Sequence, residues 1–332
     1  MTQRRLAVAA SVALSVALSV VATACATSSS TTPAQETAQE TAPSDAFSGL
    51  WRNPQDPRIY AWVSSPWTFS TTSWAIEGDD GLVLIDTQFL PKDAVAFVDA
   101  VEAATGKQAK VAVVLHANPD KFNGTAALQA RGIKVVTSSQ VKGLIPDVHK
   151  KRSAAFGERY APDYPKETPA PESFGSSPTT VSDVAGVKLV LTPVGKGCSE
   201  AHVVASFDDG AGRHIFAGDL LANGAHAWLE IGEPIEWLKR LDEVDTMKPA
   251  YVHPGRGLSS DAALINVERK YLGDVMLAVS TARALGGDDD AVIADARRRI
   301  LEMYPDLRFA VFLNIGLPAE LARQKAQAAA NP

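Results

Sequence analysis

Cysteine is nearly absent from this chain, which has only two, Cys25 and Cys198, in 332 residues. Two cysteines exclude the disulfide framework that holds many small secreted domains together. If Cys25 carries a modification of its own, Cys198 has no partner within the chain. A lone thiol of this kind is either buried and inert, or it is a metal ligand or a nucleophile.

An excess of positive charge is also missing. The chain has 32 Lys and Arg residues against 38 Asp and Glu, a formal net charge of −6, and no basic cluster outside its N-terminus. Because nucleic-acid binding depends on basic side chains that neutralise phosphates, we expect no nucleic-acid partner. The composition, 46% hydrophobic and 21% charged, is otherwise ordinary for a globular protein long enough to bury a large core.

Residues 1–24 have the layout of a secretory signal peptide. Two arginines precede an apolar stretch whose last residues are small and lead directly into Cys25. This order resembles a bacterial lipoprotein signal, in which the cysteine is lipidated, although Ala22 departs from it because a larger aliphatic residue is usual there. We expect a membrane anchor through lipid on Cys25, at the periplasmic or extracellular face of the bacterial cell envelope. Plain secretion and an uncleaved anchor are the alternatives.

The next segment, residues 25–46, is rich in Ser, Thr, Pro, Ala and Glu and contains the repeat AQETAQET. It has too few apolar residues to offset the entropy lost on ordering, so we predict a flexible linker. We divide the folded part into a main domain over 47–262 and a C-terminal helical extension over 263–332. In this extension apolar residues recur at helical spacing.

Strand and helix patterns alternate along the main domain, which argues for an α/β layered fold. A Gly-Asp-Asp-Gly turn predicts a hairpin between residues 74–77 and 82–86. Pro91 begins a predicted helix and Gly106 ends it. Further strands are expected over 59–63, 133–137, 187–192, 203–207, 215–217 and 250–253. An insertion over 140–178 is expected to be partly helical, and to be a functional cover or simply mobile.

The stretch VAVVLHANPDKFNG, residues 111–124, is the most informative of the chain. Its first five residues are apolar and mostly β-branched, which predicts a buried strand. The strand leads into a polar loop with His116, Asn118 and Asp120. These three groups can bind a metal or a polar substrate, and they stand at alternate positions just past a rigid strand. We therefore expect them to converge on one functional spot.

Five landmarks, in order, resemble those of the metallo-β-lactamase superfamily over about residues 69–257. They are Leu84-Ile85-Asp86-Thr87, the His116 loop, Gly197-Cys198-Ser199, Phe216-Ala217-Gly218-Asp219 and Pro254-Gly255-Arg256-Gly257. The resemblance implies a four-layer αβ/βα sandwich with extra C-terminal helices. It also implies a site along one edge between the two sheets, one or two zinc ions, and a small-molecule substrate or ligand.

Carried over position by position, the family's metal motif is only partly kept. His116, Asp120 and Asp219 match ligand positions, and Cys198 stands in the loop that normally supplies a histidine. With His116, either acid and Cys198, the chain has the three ligands that a single catalytic zinc needs. The resemblance then implies a metal-dependent hydrolase with an altered, at most mononuclear site, in which His116 and Asp120 are catalytic. Asp86 would orient the ligand loops by hydrogen bonds.

The departures favour a different hypothesis. Asn118 and Arg256 replace imidazole ligands, and Lys121 follows Asp120 directly. Arg256 cannot lose its proton and offers only donors. Two fixed cations beside two carboxylates can neutralise a site without any metal. We therefore hypothesise a pseudo-metal site in which Lys121 and Arg256 pair with Asp120 and Asp219.

The pseudo-metal hypothesis describes a metal-free binding or scaffold protein on the same fold. Lys121 and Arg256 would then suit an anionic small ligand. A third interpretation makes Cys198 a covalent nucleophile with His202 as its base. Trp228 follows the Asp219 loop and is a candidate to line the cleft.

The remaining histidines leave alternatives open. His202, His226 and His253 are candidates for displaced ligands that would rebuild a metal site, with His226 at the mouth of the site. For each of them we favour a structural or surface role. His149 and His214 have no supporting context, so we expect both at the surface.

Overall fold

The computed structural model describes residues 47–181 and 185–330. The expected signal peptide over 1–24, the lipid site Cys25 and the linker over 25–46 lie outside the described residues and stay predictions. Among the helices of the described part, none combines the length and the apolar character that crossing a membrane would require.

The first sheet has seven strands that follow one another in chain order. They are β1 Gly49–Arg52, β2 Ile59–Val63, β3 Thr72–Glu77, β4 Leu82–Ile85, β5 Ala109–Val113, β6 Lys134–Thr137 and β7 Glu172–Ser173. The first four strands pair antiparallel, and β4 to β7 pair parallel. The predicted hairpin is present as β3 and β4, with Trp74 opposite Ile85. Strand β5 ends two residues before the predicted end of its apolar run.

Parallel strands need crossover connections, and helices supply most of them. The helices of this half are α1 Pro91–Thr105, α2 Pro119–Phe122, α3 Thr125–Ala130 and α4 Ser139–Phe156. Helix α1 begins and ends as predicted, with Pro91 at its first turn and Gly106 in the left-handed conformation just after it. Its apolar face, which includes Phe97 and Val101, packs on the first sheet.

The second sheet has six strands in the order β13-β12-β11-β10-β9-β8. They are β8 Thr179–Val181, β9 Leu189–Val194, β10 His202–Asp208, β11 Arg213–Ala222, β12 Tyr251–Arg256 and β13 Ser260–Asp261. The pair β11 and β12 is parallel and is connected through helix α5, Pro234–Thr246, whereas the other pairs are antiparallel.

The two sheets stack face to face. One buried cluster joins Leu84 and Val113 of the first sheet to Leu191 and Phe216 of the second. The C-terminal helices α6 Ala263–Leu285, α7 Asp289–Met303 and α8 Leu313–Ala330 share a second core with α5 and the outer face of the second sheet. The layers are therefore helices, sheet, sheet and helices, which is the predicted αβ/βα sandwich with additional C-terminal helices.

The insertion expected over 140–178 packs on the domain. Helix α4 forms its first part, and Tyr160 and Tyr164 after it are buried. Their rings lie 4.9 Å and 5.7 Å from that of Phe89, centroid to centroid. The segment thus extends the aromatic core beside the β4–α1 connection.

The expectation that His149 and His214 lie at the surface is wrong, since both are buried. His149 stacks on Tyr164 with ring centroids 6.2 Å apart. His214 has a partner on each side of its ring, because Nε2 lies 3.2 Å from Asp209 Oδ2 and Nδ1 lies 3.1 Å from His253 Nε2. A histidine whose two nitrogens are both satisfied can be buried at small cost.

Candidate functional site

Four chain segments meet at one edge of the sandwich. The loop after β5 carries His116 and Asn118, and α2 carries Asp120 and Lys121. Asp219 comes from β11 at a break in its pairing with β12, next to Gly218, whose φ is +55°. Because that φ is in the left-handed region, glycine suits the position. Arg256 is the last residue of β12, and Cys198 precedes β10.

The loop after β5 is fixed by the segment that follows β4. Asp86 Oδ1 accepts the backbone N–H of Leu115 at 2.8 Å, as the sequence predicts for a residue that orients the ligand loops. Burial raises the pKa of the Asp86 carboxyl to about 8. Thr87 Oγ1 donates to the Lys121 carbonyl at 2.9 Å. Gly124 is needed for this contact, because a Cβ there would lie 2.0 Å from the Thr87 carbonyl oxygen.

Two acids and two bases form a closed set of ion pairs, which we call the charge tetrad: Asp120, Lys121, Asp219 and Arg256. Lys121 Nζ lies 3.1 Å from Asp120 Oδ2 and 2.9 Å from Asp219 Oδ1. Arg256 Nη2 lies 3.0 Å from Asp120 Oδ2, and its Nη1 lies 2.6 Å from Asp219 Oδ2. Each cation bridges both carboxylates, which are the pairings that the sequence analysis predicts.

The tetrad also makes hydrogen bonds to its surroundings. Lys121 is fully buried, and its Nζ donates to the Gly255 carbonyl at 3.3 Å in addition to its ion-pair contacts with the two acids. Thr71 Oγ1 donates to Asp120 Oδ2 at 3.2 Å. Gly255 has no room for a side chain, because a Cβ would lie 1.9 Å from Asp219 Oδ1.

The charged forms of Asp219, Lys121 and Arg256 are stabilised by their neighbours in the tetrad. Burial by itself would raise the pKa of Asp219, but the charges of Arg256 and Lys121 outweigh it and hold this pKa well below its usual value. Burial would lower the pKa of Lys121, but Asp120 and Asp219 outweigh it and raise that pKa. The same two acids raise the pKa of Arg256 against its own burial. The formal charges of the tetrad's two acids and two bases cancel.

The acid pair does not fit the zinc ions that the fold family implies. Zinc binds carboxylate oxygens at about 2.0–2.2 Å. Here Lys121 Nζ contacts both carboxylates and would be a like charge beside such an ion. The predicted ligand set of His116, Asp120, Cys198 and Asp219 is thus divided, with the two acids committed to Lys121 and Arg256.

The three remaining soft ligands form a separate group, which we call the His–Cys cluster: His116, Cys198 and His202. One potential ligand atom from each lies within 4.8 Å of the others. Cys198 Sγ lies 3.9 Å from His202 Nε2, and the two imidazole rings are 5.1 Å apart, centroid to centroid. His116 Nε2 lies 3.6 Å from Asp219 Oδ2, so the cluster adjoins the tetrad.

The surroundings of Cys198 do not support its use as a nucleophile. The side chain is buried, and burial raises the pKa of its thiol, with the charge of Asp219 adding to the effect. Burial also lowers the pKa of His202, with His116 adding to this effect. The pair is therefore a neutral thiol beside a neutral imidazole, without access to a substrate.

A pocket lies over the outer side of the tetrad. Its aromatic wall is formed by Phe69, Phe89, Phe156, Trp228 and Phe312. Asn118, Pro119, Asp120, Arg152 and Arg256 complete the lining. The Arg256 guanidinium lies 5.2 Å from the centroid of the Phe312 ring, and that of Arg152 lies 5.3 Å from Trp228. Trp228 thus lines the cleft as the sequence analysis proposes, whereas the four Phe residues come from distant segments and carry no local signal.

His226 and His253 lie away from the tetrad. His226 Nδ1 is 2.9 Å from the hydroxyl of Tyr271 in α6, and burial lowers the pKa of this histidine to about 4. The expectation that His226 reaches the mouth of the site is wrong. His253 is bonded to His214, and its Nδ1 lies 2.8 Å from Ser259 Oγ. Both therefore have the structural role that we favour from the sequence.

The layered fold and the edge site define the class of protein. The sequence profile described as "Metallo-beta-lactamase superfamily" matches residues 66–256, which is more than half of the chain. The protein therefore belongs to the metallo-β-lactamase superfamily.

Solved structures show the same fold. A metallo-beta-lactamase from Pontibacter korlensis superposes with a TM-score of 0.55 and 20% identity, over 68% of this chain and 99% of its own. DIM-1 metallo-beta-lactamase superposes with a TM-score of 0.54 and 16% identity, over 68% of this chain and 97% of its own. The metallo-beta-lactamase FIM-1 from Pseudomonas aeruginosa, in a mono-zinc form, superposes with a TM-score of 0.54 and 17% identity, over 68% of this chain and 95% of its own. At these identities the likeness shows the fold alone. Among curated proteins no match is found.

Proposed function

We propose that this protein is a non-hydrolytic member of the superfamily that binds a small molecule in the aromatic pocket. In this proposal Lys121 and Arg256 take the place of the family's zinc ions between Asp120 and Asp219. The observation that carries it is the position of Lys121 Nζ, fully buried and within 3.1 Å of both carboxylates. A hydrolase of this fold would need those oxygens for a metal or for the attacking water.

Replacement of the cations by a metal ion is opposed by the energetics of buried charge. Removing one partner of a buried ion pair typically costs about 3–5 kcal/mol, because it leaves an uncompensated charge. Here each cation contacts two acids, so a zinc ion would have to displace two bridges at once. Asp120 Oδ2 already accepts from Arg256 and Thr71 and lies 3.1 Å from Lys121 Nζ, which leaves this oxygen poorly placed to activate water.

The pocket lining indicates the chemical class of the ligand. Arg256 is neutralised within the tetrad, and Arg152 Nη2 lies 2.5 Å from Glu230 Oε2. The pocket therefore has little net positive charge to attract an anion. This argues against the anionic ligand that Lys121 and Arg256 suggest from sequence. Five aromatic rings favour a compact, apolar or aromatic body. Asn118 Oδ1 is buried without a partner in the described residues and would accept a hydrogen bond from such a ligand.

The experiment uses the purified protein with a neutral fluorescent probe, N-phenyl-1-naphthylamine. We expect saturable binding that weakens at least about tenfold in Trp228→Ala and Phe312→Ala, because each removes a wall of the pocket. Trp51→Ala is the matched control, since Trp51 is partly exposed and does not line the pocket. In parallel, ester, thioester, amide and lactam substrates are tested with and without added zinc. Zinc-dependent turnover that Asp120→Asn abolishes would overturn the proposal.

We further propose that the protein acts at the bacterial cell envelope, tethered by lipid on Cys25. The order of an arginine pair, an apolar stretch and small residues before Cys25 supports this. Metabolic labelling with a tagged fatty acid is the test. The label should enter the wild-type protein and be absent from Cys25→Ser, and equal labelling of both would contradict the anchor.

A further inference from the structure

The His–Cys cluster takes no part in the ion pairs of the charge tetrad. His116, Cys198 and His202 are all buried, and none of them is needed to neutralise the acids. A thiol and two imidazoles are soft ligands that suit late transition metals. None of its three residues lines the aromatic pocket, so the cluster is separate from the proposed ligand site.

His116 gives an independent indication of a bound group. Its side chain is fully buried, yet neither Nδ1 nor Nε2 has a hydrogen-bond partner among the described residues. Buried polar groups are almost always satisfied, and an exception calls for an unseen water or ion. Asp219 Oδ2 lies 3.6 Å from Nε2, which is too far for a good hydrogen bond.

Each imidazole of the cluster has an oxygen atom near its Nε2. A ligating histidine usually turns its second nitrogen toward an oxygen acceptor. His202 Nε2 lies 3.1 Å from the Ser199 backbone nitrogen and 3.2 Å from the Ser199 carbonyl oxygen, and His116 Nε2 lies 3.6 Å from Asp219 Oδ2. His202 Nδ1 lies 4.0 Å from Cys198 Sγ, and it becomes a ligand in the tautomer whose Nε2–H donates to the Ser199 carbonyl. Donors about 2.0–2.3 Å from one ion lie up to about 4.5 Å apart, so the cluster needs only a small contraction to enclose one.

We infer that His116, Cys198 and His202 form a site for a single soft monovalent cation, copper(I). The charge balance selects this ion over a divalent one. One thiolate and one copper(I) sum to zero, and the adjoining tetrad is also neutral. Zinc(II) with the same three ligands would leave one net positive charge in a buried space beside Lys121 and Arg256, which is costly. Binding releases the Cys198 proton to solvent and involves no electron transfer.

This site goes beyond the proposed function and does not depend on it. The test loads the full-length protein anaerobically with copper(I), supplied as its acetonitrile complex, in competition with a chromogenic copper(I) chelator. We expect one copper per chain, with affinity lowered at least about 100-fold in Cys198→Ser and His116→Gln. His226→Gln is the matched control, because His226 is equally buried but lies outside the cluster.

X-ray absorption of the wild-type complex provides a second measurement that does not depend on how well the variants fold. It should show one sulfur and two nitrogen neighbours around copper. Absence of stoichiometric binding, or a copper shell without sulfur, would overturn the site. Zinc bound as tightly as copper(I) would also overturn the charge argument. A metal ion kept by Cys198→Ser but lost in Asp120→Asn would instead place the ion at the acid pair and refute the proposed function as well.

Discussion

Arg256 Nη1 donates to Asp219 Oδ2 at 2.6 Å, the shortest contact in the charge tetrad. The two residues belong to neighbouring parallel strands, β12 and β11, whose register shifts around Gly218. Asp219 lies within that irregular part of β11, where Lys121 from the other half of the sandwich also contacts it. The tetrad therefore ties the two sheets together at the site as well as neutralising it.

Lys121→Met should destabilise the protein strongly. Methionine keeps most of the volume but leaves Asp120 and Asp219 with one cation between them. We expect a loss of about 3–5 kcal/mol in the free energy of unfolding, measured by urea denaturation. Lys92→Met is the control, because Lys92 pairs with Asp163 at the surface and should change stability by no more than about 1 kcal/mol. Equal effects of the two substitutions would mean that the tetrad does not stabilise the fold.

Local signals account for the parts of the fold that the sequence predicts well. The β3–β4 hairpin follows from its Gly-Asp-Asp-Gly turn, and α1 follows from Pro91 and Gly106. Each of these signals lies within a few residues of the element it defines. The order of the family landmarks then places the site at the edge of the sandwich.

The features that the sequence analysis misses depend on partners far apart in the chain. His214 is buried because Asp209 and His253 satisfy its ring, and nothing next to it in sequence shows this. The aromatic pocket joins rings from segments as distant as Phe69 and Phe312. Sequence alone likewise leaves open whether the acids bind a metal or the nearby cations, since that choice depends on contacts across the two sheets.

Gly255→Ala should disrupt the tetrad through sterics alone. A Cβ at Gly255 would lie 1.9 Å from Asp219 Oδ1, so either the carboxylate or the strand must move. We expect a loss of at least about 2 kcal/mol in unfolding free energy, in the range of overpacked cores. Gly143→Ala is the control, since a Cβ there meets no atom within 4 Å and the site is helical, where alanine is favoured by about 0.5–1 kcal/mol. Tolerance of Gly255→Ala would contradict the packing described for Asp219.

The free energy of unfolding should fall as the pH rises because of Glu268. Burial raises the pKa of its carboxyl to about 8, while an exposed glutamate has a pKa of about 4.3. Between these values the folded state holds a proton that the unfolded state has lost. The stabilisation is therefore complete below the unfolded pKa and is lost as the pH rises through about 8.

Replacing this carboxyl by an amide in Glu268→Gln removes the titration but keeps an acceptor for the Ala222 N–H, which Glu268 Oε2 binds at 3.1 Å. Between about pH 5 and pH 8 the unfolding free energy of the variant should fall less steeply with pH than that of the wild type. The two slopes should differ by up to about 1.4 kcal/mol per pH unit. A smaller slope should remain, because Asp86 also has a pKa raised to about 8. Exposed Glu158→Gln is the control, and an unchanged slope in Glu268→Gln would show that Glu268 is charged in the fold.

A zinc site should be recoverable if the two cations occupy the place of the metal. The triple variant Asn118→His, Lys121→Ala and Arg256→His removes both cations and restores two imidazoles beside Asp120 and Asp219. Since zinc then has nitrogen and carboxylate ligands and no like charge beside it, we expect at least one tightly bound zinc per chain by elemental analysis. Wild-type protein treated identically should retain none at the acid pair. Adding Asp120→Asn to the triple variant should lower its affinity for zinc at least about tenfold. An unchanged affinity would show that the ion lies elsewhere.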